Sequence, residues 1–225
     1  MNTKIKLAAG AVLAAAAVAA TPASAQVAGI ATSSPEAVIV RAQARITAYQ
    51  QIEQQYAAQI AQIRTLRQEM ATLQQTLDTN KDGQLSQQEA TANKSAVDQL
   101  QAKEQTVAQT TQPIVLAQTY AIEQLINDYA NVQQQVVNDK KIQIMLTPDA
   151  IQWAPDSVNV TDALVAVINK RMPSVQITPP AGWRPRQESL ATQQTVAQIL
   201  VGVAQQQAAA AQQSQQPQQQ QPTGR

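Results

Sequence analysis

The stretch DTNKDGQLSQQE, residues 78–89, decides how this chain folds, because a long run with helical periodicity lies on each side of it. Upstream, apolar residues fall at Ile46, Tyr49, Ile52, Tyr56, Ile60, Ile63, Leu66, Met70, Leu73 and Leu77. The steps are three or four throughout, which draws a stripe along one helix face. Ser34-Pro35-Glu36 supplies a cap, a proline for the first helical position and an acid for the first turn. No glycine or proline interrupts the run to Leu77. One helix over 35–77 is therefore expected, about 65 Å long at the standard rise. Downstream, Ala90 to about Lys140 repeats the pattern with Val97, Leu100, Val107, Ile114, Ile122, Leu125, Tyr129, Val132 and Val136. Pro113 lies inside it and is expected to kink it. Two rods of similar length joined by a short polar loop read as an antiparallel hairpin with residues 78–89 at its tip.

That loop also matches the twelve-residue EF-hand pattern. Oxygen ligands are needed at positions 1, 3, 5, 7, 9 and 12, and glycine at 6. Asp78, Asn80 and Asp82 fill the first three positions, and Gly83 supplies the turn. Gln84 would give its backbone carbonyl, Ser86 would bridge through water, and Glu89 would bind through both carboxylate oxygens. Leu85 stands at position 8, where the pattern places an apolar residue. Calcium is the expected ion. A single hand without a paired loop predicts weak binding, roughly 10⁻⁴ M or poorer. The same Asp, Asn and Gly residues would also serve as a plain turn.

Beyond the hairpin the pattern changes. Residues 26–33 and Lys141–Thr147 have strand character. So does Ala150–Ala154, with Ile151 and Trp153 on one face, and Val158–Val160 would extend the sheet. Thr161 is placed to cap a helix from Asp162 to about Lys170. The β segments flank the hairpin in sequence and so meet at its root. The fold class is α+β: a long antiparallel helical hairpin, a coiled-coil arm over 35–140, on a small β-rich association body of residues 26–34 and 141–172. Pro173 to Pro185 reads as linker, and a loose Ala/Gln helix fits 187–211. Gln205–Gln221 holds 11 glutamines in 17 residues. Residues 173–225 are thus expected to form a Pro/Gln-rich, largely disordered tail, with Trp183 as an anchor.

The N-terminus carries Lys4 and Lys6, an apolar run from Leu7 to Ala20, and Ala23-Ser24-Ala25. This is the layout of a secretory signal peptide over residues 1–25, too short and Ala-rich for a membrane span. Its removal leaves 14 basic and 15 acidic residues, a net charge of −1. No concentrated basic footprint for nucleic acid remains. Cysteine and histidine are absent. That excludes a disulfide framework, thiol chemistry and the Ser-His-Asp arrangement. No phosphate-binding loop for ATP is present. An enzyme is not expected.

The order strand, long helix, turn, long helix, strands and short helix, with KKIQIMLTPDAIQWAPDSVNVTDALVAVIN at residues 140–169, resembles the OmpH/Skp family of periplasmic chaperones. The likeness covers about residues 26–172. It implies a homotrimer whose β-rich collar carries three helical arms around a cavity for unfolded outer-membrane proteins. In that assembly Ile142, Ile144, Leu146, Ile151, Trp153, Leu164 and Ile168 would be buried. It also implies ATP-independent action in the periplasm without stable membrane insertion. One departure stands out. The best-known members have strongly basic arms, whereas residues 36–140 here carry 8 Lys/Arg and 11 Asp/Glu. Client contact would then be mostly apolar. Two other readings use the same residues. A calcium sensor or buffer would need more than one hand, and a structural coiled-coil envelope protein would not need the mixed body.

Overall fold

The computed structural model describes residues 29–214. The signal peptide read at 1–25 and the end of the Gln-rich tail lie outside the described residues. The chain forms β1 (Ile30–Thr32), α1 (Pro35–Arg41), α2 (Gln43–Gln55), α3 (Ala57–Leu77), α4 (Gln87–Ala92), α5 (Lys94–Lys140), β2 (Ile144–Leu146), α6 (Thr161–Arg171) and α7 (Gln187–Ser214). Short 3₁₀ turns stand at Pro148–Ala150 and Asp156–Val158. α2 and α3 run out along α5 as one arm, with residues 78–86 connecting the two strokes. The fold is α+β, a helical hairpin on a small body.

β1 and β2 pair in parallel, Ile30 opposite Ile144 and Thr32 opposite Leu146. Parallel strands need a long crossover, and here the whole arm is that crossover. A bridge from Thr32 to Asn159 extends the sheet by one contact. The second strand expected at Ala150–Ala154 is not formed. Pro148 opens a 3₁₀ turn, Pro155 closes the segment, and Trp153 is 82% exposed.

The rod expected over 35–77 is three helices. Ser34 caps the first as read, its Oγ accepting from the Ala37 N–H at 3.0 Å. At Ala42 the backbone turns extended, and the Gln43 N–H donates to Asn169 Oδ1 of α6 at 2.7 Å. Arg45 donates to the Val40 carbonyl across the same break. Redirecting the chain here lets α1 pack on α6 and α7 while α2 follows α5. The second interruption, at Tyr56, is mild. Its N–H still reaches the Ile52 carbonyl at 2.9 Å, and its own carbonyl accepts from Ile60. Asn93 separates α4 from α5, and α5 continues through Pro113 for 47 residues.

The core gathers Val38, Ile39, Ala44 and Ala48 from the first stroke, Ile122, Leu125, Val132 and Val136 from α5, and Leu164 and Ile168 from α6. Leu164 and Ile168 were expected to be buried by other subunits. They are fully buried within the chain itself. Thr161 is the first residue of α6 and not its cap. Its hydroxyl pairs with Ser33 at 2.9 Å, and its N–H donates to Asn159 Oδ1. Residues 187–214 are helical, over nearly the span read as a loose Ala/Gln helix, within a stretch otherwise expected to be largely disordered. α7 packs on α1 and α5, burying Ser189, Gln193 and Val196. Apolar residues at 190, 196, 199 and 200 keep one face of this Ala/Gln helix inward over its first half, while Val201 and Val203 beyond them are exposed.

Candidate functional site

Three surfaces stand out: the tip loop, the bare face of the body, and a groove on the arm.

At the tip, the first half of the loop folds around its own side chains. Asp78 accepts from the Asp82 N–H at 3.1 Å and the Gly83 N–H at 2.9 Å. Asn80 Oδ1 accepts from the Asp82 N–H, and Asp82 Oδ1 from the Gln84 N–H at 2.8 Å. Lys81 and Gly83 both take left-handed conformations, which the tight turn requires. Glu89 ties the two ends of the loop together. Its Oε1 accepts from the Thr79 N–H, the Thr79 hydroxyl and the Asn80 N–H. Its Oε2 accepts from the Ser86 N–H and hydroxyl, at 3.0 and 2.7 Å. Ser86 returns the bond to the Glu89 N–H, completing a capping box on α4. The hydrogen bonds from the Ser86 hydroxyl and amide, then from Thr79 and Asn80, hold the Glu89 carboxyl down at about 2.

The six residues read as ligands thus share one loop, but they do not all face one point. Asp78, Asn80 and Asp82 cluster. Glu89 gives both oxygens to protein donors. Among the described residues, no group of three or more His, Cys, Asp or Glu side chains is placed to hold a metal ion together. In this conformation Glu89 does not fit the bidentate role; it would have to release Thr79 and Ser86 first. Leu85 is exposed, and so has no apolar partner loop among the described residues.

At the root, apolar side chains point out of the body. Trp153 is the most exposed, Ile144 is 51% exposed and Ile30 is 37% exposed. Ile151, Pro148 and Trp153 line a depression of about 440 Å³ that reaches Ser33 and Ala37. The two-stranded sheet also presents unpaired backbone on its free edge, a combination soluble monomers avoid.

On the arm, Met70, Val107, Val115 and Leu116 line an open groove of about 550 Å³ between α3 and α5, closed at one end by Leu190 of α7. The exposed Arg67, Glu104 and Gln112 also line it, and so does Thr111, whose hydroxyl is buried without a partner.

One polar centre was foreseen only through Trp183, read as an anchor, and not through its acceptor. Glu123 lies buried in α5 and accepts from Trp183 Nε1 at 3.1 Å, the Arg186 N–H at 3.3 Å and Ser189 Oγ at 2.7 Å. Burial pushes its carboxyl up, but the bonds from Ser189, Trp183 and Arg186 outweigh this and leave it below the ordinary carboxylate value. Trp183 also meets Tyr120 edge-on, with ring centroids 5.1 Å apart. Trp183 therefore anchors the segment leading into α7. For the acceptor, the only sequence signal is an acid on the apolar side of a helix, since its partners lie about sixty residues away.

No helix among the described residues is long and apolar enough to cross a membrane. No protein-family profile and no curated protein matches the chain. Among solved structures, it is similar to an OmpH-like protein of Caulobacter crescentus CB15, named as an outer membrane chaperone. The identity is 20%, the TM-score 0.40, and the match covers 71% of this chain and 92% of that one. A likeness of this size carries no functional argument, so the function has to be argued from this chain's own residues.

Proposed function

We propose that the chain is an ATP-independent holdase of the periplasm, acting as a homotrimer that shelters unfolded outer-membrane proteins between its arms. One observation carries this reading: Ile30, Ile144 and Trp153 lie bare at the root of a helical arm whose own core is already closed. Apolar surface left over after the core is complete is surface for another protein. Association through the body would cover it and the free sheet edge, and would leave the arms projecting together. The arm groove offers apolar contact without a sharp polar site, which suits clients of many sequences. The OmpH/Skp-like element order read from the sequence supports the same assignment. So does the segment read as a signal peptide, which would direct the chain out of the cytoplasm.

Calcium at the arm tip forms a separate part of the proposal. Asp78, Asn80 and Asp82, the Gln84 carbonyl, Ser86 and Glu89 would supply its oxygens, with Glu89 turned away from Thr79 and Ser86. The completeness of the twelve-residue pattern supports it. Isothermal titration of the protein and of Glu89→Gln tests it; absence of calcium heat in the parent ends it. For the holdase, light scattering gives the native mass, and aggregation of a diluted, urea-unfolded outer-membrane protein gives the activity. A trimer that keeps the client soluble without ATP is expected. A monomer at all concentrations with no effect on aggregation overturns the proposal.

A further inference from the structure

We propose that α7 is a displaceable strap over the client seat of the arm, so that an incoming apolar segment of unfolded polypeptide and α7 compete for one face of α5. This rests on the holdase reading above and adds regulation to it.

Four observations carry it. The groove of Met70, Val107, Ala108, Val115 and Leu116 is walled by Leu190, a residue of α7 itself. Client seat and strap seat are therefore one continuous surface of α5. Second, α7 shows what that surface accepts: from Ser189 to Ser214 it contains no charged residue. An apolar and amide-rich segment already lies there. Third, the seat is lightly held. Among the described side chains of α7 only Ser189, Gln193 and Val196 are fully buried, with Leu200 partly buried against the core, and two of the three are fixed by single polar contacts, Ser189 to Glu123 and Gln193 to Gln118 at 3.2 Å. Fourth, the tether keeps contacts of its own, although Glu123 also accepts from Ser189 of the strap. Trp183 and Arg186 bind Glu123 and Asn127 just before the helix begins. α7 can lift and return without leaving the arm. A tethered competitor of this kind lowers apparent affinity by the fraction of time it is seated.

The absence of cysteine makes the test clean. Gln118→Cys/Gln193→Cys in the full chain puts thiols at two positions whose side chains meet. Cysteine is shorter than glutamine, so a short, cleavable bis-thiosulfonate linker is used in place of a direct disulfide. The probe is fluorescent, reduced and carboxymethylated α-lactalbumin, permanently unfolded, and anisotropy reads its Kd. Linking is expected to weaken binding by about tenfold, and reductant to restore it. Ser189→Ala/Gln193→Ala, which removes two hydrogen bonds and leaves the core residue Val196 in place, is expected to tighten binding. Failure of the linker to bridge the two thiols overturns the strap, because α7 is then not seated there. Equal Kd in linked and released protein, or in the double-alanine variant and the parent, also overturns it. If the parent binds no unfolded probe at all, the holdase reading itself fails, an outcome separate from the other three.

Discussion

Leu164→Ala and Trp153→Ala form a pair whose outcomes should be opposite. Both residues belong to the body, and both were apolar candidates for a subunit interface. Leu164 is fully buried within the chain, so its truncation leaves a cavity that costs about 2–5 kcal/mol. With a urea slope of about 1–3 kcal/mol per molar, the unfolding midpoint falls by roughly 1–2 M. Trp153 keeps less than a fifth of its surface covered. From a side chain that buries up to about 250 Å², this is roughly 40 Å² and about 1 kcal/mol. Its bare part, roughly 200 Å², sets an upper limit of about 5 kcal/mol per protomer if association covers it. Even a quarter of that changes the association constant nearly tenfold. Unfolding by circular dichroism reads the first effect and sedimentation velocity across a concentration series reads the second. Leu164→Ala should lower stability, while Trp153→Ala should unfold near the parent midpoint but dissociate at higher concentration. If Trp153→Ala assembles as the parent does, the bare face is not the subunit contact. If Leu164→Ala costs under about 1 kcal/mol, α6 does not close the core as described.

At the tip, Glu89→Gln places an amide opposite donors. Protection of the Thr79, Asn80 and Ser86 amides against hydrogen exchange should fall, while that of Ile122 and Leu125 stays unchanged. Acid should do the same to the parent. The Glu89 carboxyl is lowered from 4.5 to about 2, so its contribution is complete above 4.5 and is lost as pH falls towards 2. Tip protection factors are accordingly constant from pH 7 to 5, and an earlier loss would point to another group. Glu123→Ala leaves Trp183 Nε1, the Arg186 amide and Ser189 Oγ without their acceptor, at about 1–3 kcal/mol of local stability. With Trp153→Phe as background, Trp183 fluorescence reports it. In the parent the same change should come only as pH falls below the ordinary carboxylate range, because the folded carboxyl is held lower. Client capture should persist or strengthen between 0.05 and 0.5 M salt, since an arm of net −3 offers no general attraction for acidic clients; a steep loss in affinity would mean that charge, not apolar contact, holds the client.

The parts of the fold that follow from local chemistry were legible in the sequence. Ser34-Pro35 opens α1 as its side chains dictate, and the three-four spacing marks the stripe that α5 covers. The chain break at Ala42 was not, because the group that accepts the freed Gln43 N–H is Asn169, 126 positions from Gln43. Nothing near Ala42 signals it. Thr161 illustrates the same limit at shorter range. Its type suits a cap, but a buried hydroxyl partner, Ser33, takes it; the cap position falls to Val160, and Asn159 accepts the Thr161 N–H from just outside the helix. At the tip, residue identity and spacing were readable, but side-chain direction was not. Ser86 and Thr79 compete for Glu89, and no spacing rule counts competitors. α7 was readable in part. Its apolar positions have helical spacing, but the glutamines between them weigh composition towards disorder, and docking through Val196 in the core and through Glu123 and Gln118 tips the balance.

The proposed assembly and the proposed capture depend on one another. One open groove of about 550 Å³, without a charged anchor in its floor, can hold only a short apolar segment, and holds it weakly. Useful retention of an unfolded chain then requires several such grooves to engage it at once. Linked sites raise affinity by orders of magnitude without any new contact. Trp153 lines no part of the groove, yet Trp153→Ala should release the client along with the partner subunits, and adding protein should restore both together. A variant that loses assembly but keeps full capture would mean that a single arm suffices, and the bare face of the body would then need a different explanation.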